Sequence, residues 1–301
     1  MRQFPILPAH HDHHDDGHDD HGGLHRDLQA TGGVMDRRRV LRMAAKFGAG
    51  FGALNLLGCG ASDLTGLTST TGTGTTTGTG TSTGGSASAG SCPTRIPEET
   101  AGPYPGDGSN GANVLNVTGV VRSDIRASFA GLSGTAGGVP LTVELTLVDA
   151  ATCAVLAGRA IYLWHCDRAG LYSLYSAGAT NQNYLRGVQA ADADGKVCFT
   201  TIYPGCYAGR WPHIHFEVFP GLAAATDVRN KVATSQIALP KAASDLVYAT
   251  AGYEASVRNL AGITLATDGI FRDGSALELA TVTGSVADGF TAALTVGITG
   301  A

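Results

Sequence analysis

The clearest periodicity along this chain has a repeat of two. Leu141, Val143, Leu145 and Leu147 alternate with Thr142, Glu144 and Thr146, the pattern of a strand with one face on a core. Phe290, Ala292, Leu294, Val296 and Ile298 repeat it near the C-terminal end. Leu277, Leu279, Thr281 and Thr283 predict the strand before that, with Asp288 and Gly289 at the turn between them. Asp194 and Gly195 mark another tight turn, leading into a strand over Lys196–Ile202. Ile214, Phe216 and Val218 form one apolar strand face, which puts His213 and His215 together on the other, roughly 7 Å apart. Helical periodicity is weak and predicts only short turns near Ser244–Ala249 and Glu254–Asn259. Short strands separated by Gly/Pro turns predict an all-β protein, an antiparallel β-sandwich with Greek-key-like connections and few short helices.

This pattern starts only after residue 91, so the chain divides into three. Residues 10–25 read HHDHHDDGHDDHGGLH and hold seven of the ten histidines. Such a tract is a polar tail, at most a weak collector of metal ions. Arg37 and Arg38 then open a twin-arginine pattern filled by Arg39, Val40, Leu41 and Arg42, followed by a short apolar run from Phe47 to Leu57. Leu56-Leu57-Gly58-Cys59 resembles a lipoprotein cleavage box, with Cys59 as the acylated residue. Residues 1–59 are therefore expected to be a His-rich head plus export signal, leading to an extracytoplasmic protein anchored to a membrane by lipid. Residues 60–91 are dominated by Thr, Gly and Ser. They cannot bury enough apolar surface to offset the entropy of ordering, and read as a leash of roughly 30 Å reach. The expected folded domain spans 92–301.

Composition removes several classes of function. No run of 18 apolar residues occurs, which argues against a polytopic helical membrane protein. From Ala61 onward there are 13 Lys and Arg against 18 Asp and Glu, a net charge of −5. An acidic domain is a poor binder of nucleic acid backbones. Cys92, Cys153, Cys166, Cys198 and Cys206 follow Cys59. Some should pair in an oxidising compartment, but spacing does not give the connectivity.

Three histidines remain in the domain: His165, His213 and His215. The pair in Arg210-Trp211-Pro212-His213-Ile214-His215 suits two imidazoles converging on one metal ion. Tyr207 lies six residues before His213, after the Pro204-Gly205 turn, and Tyr172 follows Trp164-His165-Cys166 at a strand-to-loop junction. Each feature alone is ordinary. Two tyrosines and two histidines in this order, ending in R-x-x-H-x-H, are not.

This stretch resembles the intradiol ring-cleavage dioxygenases, the protocatechuate 3,4-dioxygenase and catechol 1,2-dioxygenase group. The motifs are G-x-Y-S at Gly170, R-G-x-Q-x-x-D-x-x-G at Arg186, T-I-x-P-G-x-Y at Thr201 and R-x-x-H-I-H-F at Arg210, with Thr100-Ala101-Gly102-Pro103-Tyr104 resembling an active-site-lining segment. The resemblance covers most of residues 95–285 and is strongest over 160–220. It implies a mononuclear non-haem Fe(III) cofactor, with Tyr172 and His213 as equatorial ligands and Tyr207 and His215 as axial ones. It further implies Arg210 as the cation beside the metal, Gln189 as a hydrogen-bonding group near the site, and Pro103, Tyr104 and Trp164 as pocket walls. The substrates implied are a catechol-type aromatic and O2, both oxygen atoms entering a cis,cis-muconate-type diacid. Two phenolates suit a hard trivalent ion.

Two departures stand out. The signal and leash occupy the place where cytosolic relatives carry a helical dimerisation segment. The Tyr207–His213 connection is also short, which widens the expected substrate range. Cupins also use H-x-H on a strand, but their further Glu ligand is missing, and a copper-zinc superoxide dismutase needs more histidines than are present. The competing non-enzymatic reading is a tethered β-sandwich binding protein with a vestigial or different metal site.

Overall fold

The computed structural model describes residues 92–299. The His-rich tract, the Arg37–Arg38 pattern, Cys59 and the Thr/Gly/Ser segment lie outside the described residues. Eight strands form two four-stranded sheets. The first holds β1 (Pro140–Asp149), β4 (Lys196–Ile202), β7 (Thr281–Ser285) and β8 (Gly289–Ile298) in the order β4-β1-β8-β7. The second holds β2 (Ala160–Trp164), β3 (Arg186–Ala190), β5 (His213–Phe219) and β6 (Ala233–Ala238) in the order β3-β2-β5-β6. Two short helices, α1 (Lys241–Tyr248) and α2 (Glu254–Ala261), follow β6.

The predicted β-sandwich is the architecture found. Every strand pair is antiparallel except β1 with β8, which run parallel. The chain reaches β8 only after building the whole second sheet, so that pairing is a crossover rather than a hairpin. One strand begins later than its pattern suggested. Leu277 sits in a turn, Leu279 forms an isolated bridge with Ala238, and β7 starts at Thr281. The turn carries its own pairing: Ala238 N donates to Glu278 O and Ala280 N to Ala238 O, tying it to the end of β6.

The inner faces of the sheets make the main core. Leu141, Val143, Leu145 and Leu147 of β1 meet Ile161 and Leu163 of β2 and Ile214, Phe216 and Val218 of β5. The second sheet is buried on its outer face too, which is why all seven residues of β5 are buried. There Tyr162, Trp164 and Val188 pack under Val114, Leu115 and Val120 from the segment before β1, and under Tyr172 from the loop after β2. This covered outer face is a dry surface edged by loops. One row of residues crosses it in register: Arg186, Trp164, His215 and Gln236.

Cys92 and Cys153 form a disulfide closing 61 residues, while Cys166 and Cys206 are free and buried. Chain-entropy arguments assign such a loop about 4 kcal/mol. Replacing Cys92 and Cys153 together by alanine should lower stability by about 2–4 kcal/mol in urea titration.

Glu278 supplies a pH-dependent term. It is buried beside Ser235, whose Oγ reaches Glu278 Oε1 at 3.5 Å. Burial, reinforced by Glu99 and Asp273, pushes its carboxyl up to about 8 from an ordinary value of 4.5. The folded state keeps a proton that the unfolded chain releases. This contribution to stability is complete below pH 4.5 and is lost as pH rises through 8. Glu278→Gln, neutral throughout, should therefore exceed the parent by about 1–3 kcal/mol at high pH and gain little under acid conditions. Urea midpoints across that range test this.

Candidate active site

The chemistry-bearing side chains gather on the outer face of the second sheet. Alternation along β5 sends Ile214, Phe216 and Val218 into the sandwich and His213, His215 and Glu217 outward. His213 Nε2 and His215 Nε2 lie 3.1 Å apart, with the rings nearly perpendicular. Tyr207 Oη is 3.2 Å and Tyr172 Oη 3.5 Å from the same His213 Nε2. Arg210 Nη1 donates toward that atom at 3.4 Å. The five side chains that the motifs singled out thus meet at one point.

Two loops deliver the tyrosines. Tyr172 is fixed by its own turn, its N–H donating to Ser176 Oγ at 2.9 Å. Tyr207 follows Pro204-Gly205, where the second loop crosses the first. A Cβ on Gly205 would stand 2.6 Å from Arg168 O and 2.9 Å from Gly170 N, so only glycine permits the crossing. Tyr207 remains half-exposed, whereas Tyr172, Arg210, His213 and His215 are at most 2% exposed.

The imidazoles are prepared as neutral donors. Burial, then the neighbouring Arg210 charge, holds His213 well below the ordinary histidine range. Burial, His213 and Arg210 do the same for His215. His213 Nδ1 lies 2.6 Å from Trp211 O, which can only accept. The ring proton therefore sits on Nδ1, and Nε2 turns its lone pair to the cluster. His215 is stacked on Trp164 at 4.9 Å and 6°. Among the described residues no group of three or more His, Cys, Asp or Glu could hold a metal ion. The histidine pair here is completed by phenols instead, a donor set that fits a hard, high-valent ion better than Zn2+ or Cu+.

Around this point Tyr104 supplies an aromatic wall, its ring lying 4.9 Å from that of Tyr172. Trp164, expected as a second wall, is instead fully buried, its ring stacked on those of Tyr162 and His215, so it supports His215 rather than lining a pocket. Pro103 belongs to the same covering segment, its carbonyl accepting from Asn110 Nδ2 at 2.7 Å. Gln189 is not brought to the cluster, contrary to expectation. It pairs with Ile161 on β2, and Nε2 donates to Cys198 O on β4 of the opposite sheet. Strand alternation decides this: Arg186 and Val188 take the outer face, so Gln189 must take the inner. Glu217 shares the histidines' face but is engaged by Lys231 Nζ at 2.6 Å, and burial pushes its carboxyl up to about 7. His165 lies apart, between Thr201 Oγ1 and Cys166 O, each at 2.7 Å.

Two partners of Arg210 carried no assignment in the sequence. Its Nε donates to Asp268 Oδ2 at 3.0 Å and its Nη2 to Gln236 Oε1 at 2.6 Å. Gln236 had a faint signal, being a polar residue downstream of H-x-H, but only the structure places it cross-strand from His215. Asp268, 58 residues from Arg210, had none.

A dioxygenase family model matches residues 122–221, a span holding Tyr172, Tyr207, Arg210, His213 and His215. Among solved structures, an intradiol ring-cleavage dioxygenase from Tetranychus urticae superposes with a TM-score of 0.54 at 25% identity, over 68% of this chain and 94% of that one. The folded region is an intradiol-dioxygenase-type β-sandwich. The resemblance carried by the motifs is thereby shown. The dioxygenase domain of a carbohydrate-binding fusion protein from Streptomyces sp. SirexAA-E aligns at 22% identity over 69% of this chain and 99% of that one, TM-score 0.44. Catechol 1,2-dioxygenase from Pseudomonas arvilla C-1 aligns at 20% identity over 68% of this chain and 62% of that one, TM-score 0.42. No protein of curated function matches this chain.

Proposed function

We propose that this protein is a non-haem Fe(III) intradiol dioxygenase, cleaving catechol-type aromatics between their two hydroxylated carbons with O2 to give cis,cis-muconate-type diacids. The observation that carries the reading is the convergence of Tyr172, Tyr207 and Arg210 on His213 Nε2, with His215 Nε2 beside it. Tyr172, Tyr207, His213 and His215 would hold the ion. Bound there, ferric iron would supply a Lewis acid and one-electron acceptor that makes a chelated catecholate reactive toward dioxygen.

The chain's own residues supply the rest. Tyr104 offers a flat apolar surface for an aromatic ring, and the buried cluster keeps water out. Tyr207 Oη, on the half-exposed ring, would take up a substrate proton as the catechol arrives. Arg210 Nη1 presents a fixed donor where negative charge gathers on the substrate.

The test is elemental analysis for iron together with oxygen uptake over catechol, protocatechuate, hydroxyquinol and alkylcatechols. A red to brown protein with stoichiometric iron and muconate-type products supports the reading. A colourless protein that takes up no iron on reconstitution supports the binding-protein alternative. Tyr207→Phe should keep its iron and lose mainly the rate of substrate binding, seen in stopped-flow mixing with catechol, because its proton acceptor is gone while three other ligands stay.

The place of work rests on sequence alone. The Arg37–Arg38 pattern, the apolar run and Cys59 support export of a folded protein and a lipid anchor outside the cytoplasm. Metabolic labelling with palmitate in a producing cell, compared with Cys59→Ala, tests that anchor.

A further inference from the structure

Arg186 is fully buried, and each of its five N–H groups has an acceptor. Nε donates to Ser173 Oγ at 3.0 Å. Nη1 donates to Pro105 O at 2.7 Å and Tyr162 Oη at 3.1 Å. Nη2 donates to Tyr104 O and Ser173 O, both at 2.9 Å. None of these acceptors is a carboxylate. Burying a guanidinium against neutral partners is costly, and an apolar residue fills such space more cheaply. What no other side chain offers is a planar fork of five donors.

The fork ends on the three elements that present rings to the cluster. Ser173 directly follows Tyr172 and is held through both its carbonyl and its hydroxyl. Tyr104 and Pro105 carry the wall whose ring lies against Tyr172. Tyr162 stacks on Trp164 at 5.0 Å, and Trp164 stacks on His215. Room for the fork is reserved at Gly106, whose φ is +65° and where a Cβ would meet Arg186 Nη1 at 2.8 Å.

We propose that Arg186 is a positioning residue of this site: its buried fork holds Tyr172 and the Tyr104 wall at set distances from His213 and His215, and so fixes the metal fit and the pocket width. This rests on the reading of the site as an iron centre. It predicts that charge alone is insufficient, because lysine carries the charge on a single point and cannot span Ser173 and Tyr104 together.

The experiment compares the full chain with Arg186→Lys, Ser173→Ala and Tyr253→Phe. The last removes a hydroxyl that bonds Val139 N and Tyr203 O, away from the cluster, and controls for general destabilisation. Before iron loading, the ring-to-ring NOE between Tyr104 and Tyr172 is read. After loading, Fe(III) affinity is measured by chelator competition, with the tyrosinate absorption band and the split of KM from kcat. Arg186→Lys should lose the NOE, shift the band, weaken iron about tenfold to a hundredfold and raise KM more than it lowers kcat. Ser173→Ala should move the same way by less and decides the matter if Arg186→Lys does not fold. Tyr253→Phe should lower only the thermal midpoint. Parental NOE and iron affinity in a folded Arg186→Lys, or equal changes in Tyr253→Phe, overturn the proposal. If the parent itself takes no iron, the reading of the site fails, and the NOE in the metal-free proteins still decides whether Arg186 sets the geometry.

Discussion

His213→Ala is expected to purify colourless, without iron, and with oxygen uptake over catechol at the background rate. His213 Nε2 is the one atom that Tyr172, Tyr207, Arg210 and His215 all approach within 3.5 Å. Removing it leaves the two phenols and the second imidazole without a common partner. The sandwich should survive, because Ile214, Phe216 and Val218 on the inner face of β5 are untouched. The lost bond from His213 Nδ1 to Trp211 O costs about 1 kcal/mol. Circular dichroism should therefore match the parent while iron analysis and turnover collapse. Normal turnover in this variant would falsify the ligand assignment. Loss of the β signal would move the result from chemistry to folding, and His213→Gln, closer in size and polarity, then carries the test.

Much of this site was legible because strands report their faces. Period-2 alternation in Ile214-His215-Phe216 is enough to place both histidines on one side of β5 before any fold is known. The same rule, applied to Arg186-Gly187-Val188-Gln189, would have turned Gln189 away from the cluster. Its assignment came from its place within a motif, and pleat geometry overrides that. The tyrosines were legible only as part of a set, since each sits in a loop whose path depends on a glycine crossing at Gly205 that no periodicity encodes. Asp268 marks where the reading stops. It reaches Arg210 through a turn after α2, and a single sequence contains nothing that links two residues 58 apart. The β1–β8 parallel pairing is a similar case, for strand patterns state which face is apolar but not which neighbour is chosen.

Asp268 changes what Arg210 can be expected to do. Both are fully buried, and their ion pair cancels the net charge at the cluster. Asp268 Oδ2 also accepts from Trp211 N at 2.7 Å, while Oδ1 accepts from Ile270 N and Phe271 N. The carboxylate is thus a fixed post rather than a mobile counter-ion. Gln236 holds Nη2 from the other side, which leaves Nη1 aimed at His213. Arg210 is therefore held as an oriented dipole, its positive end on the site and its charge balanced behind; in the proposed reaction such a preorganised donor would be worth about 10²–10³ in kcat. Arg210→Lys should lose about that factor in oxygen-uptake kcat with its iron content unchanged, because no ligand is removed. Arg210→Met should also lose about 3–5 kcal/mol of stability, since it strands Asp268 in the interior. Adding Asp268→Asn to that variant removes the stranded charge, and urea titration should then recover most of the stability while kcat stays low. Recovery of turnover together with stability would show that Arg210 serves the fold alone. Stability regained without turnover is the outcome that an oriented, charge-balanced donor requires.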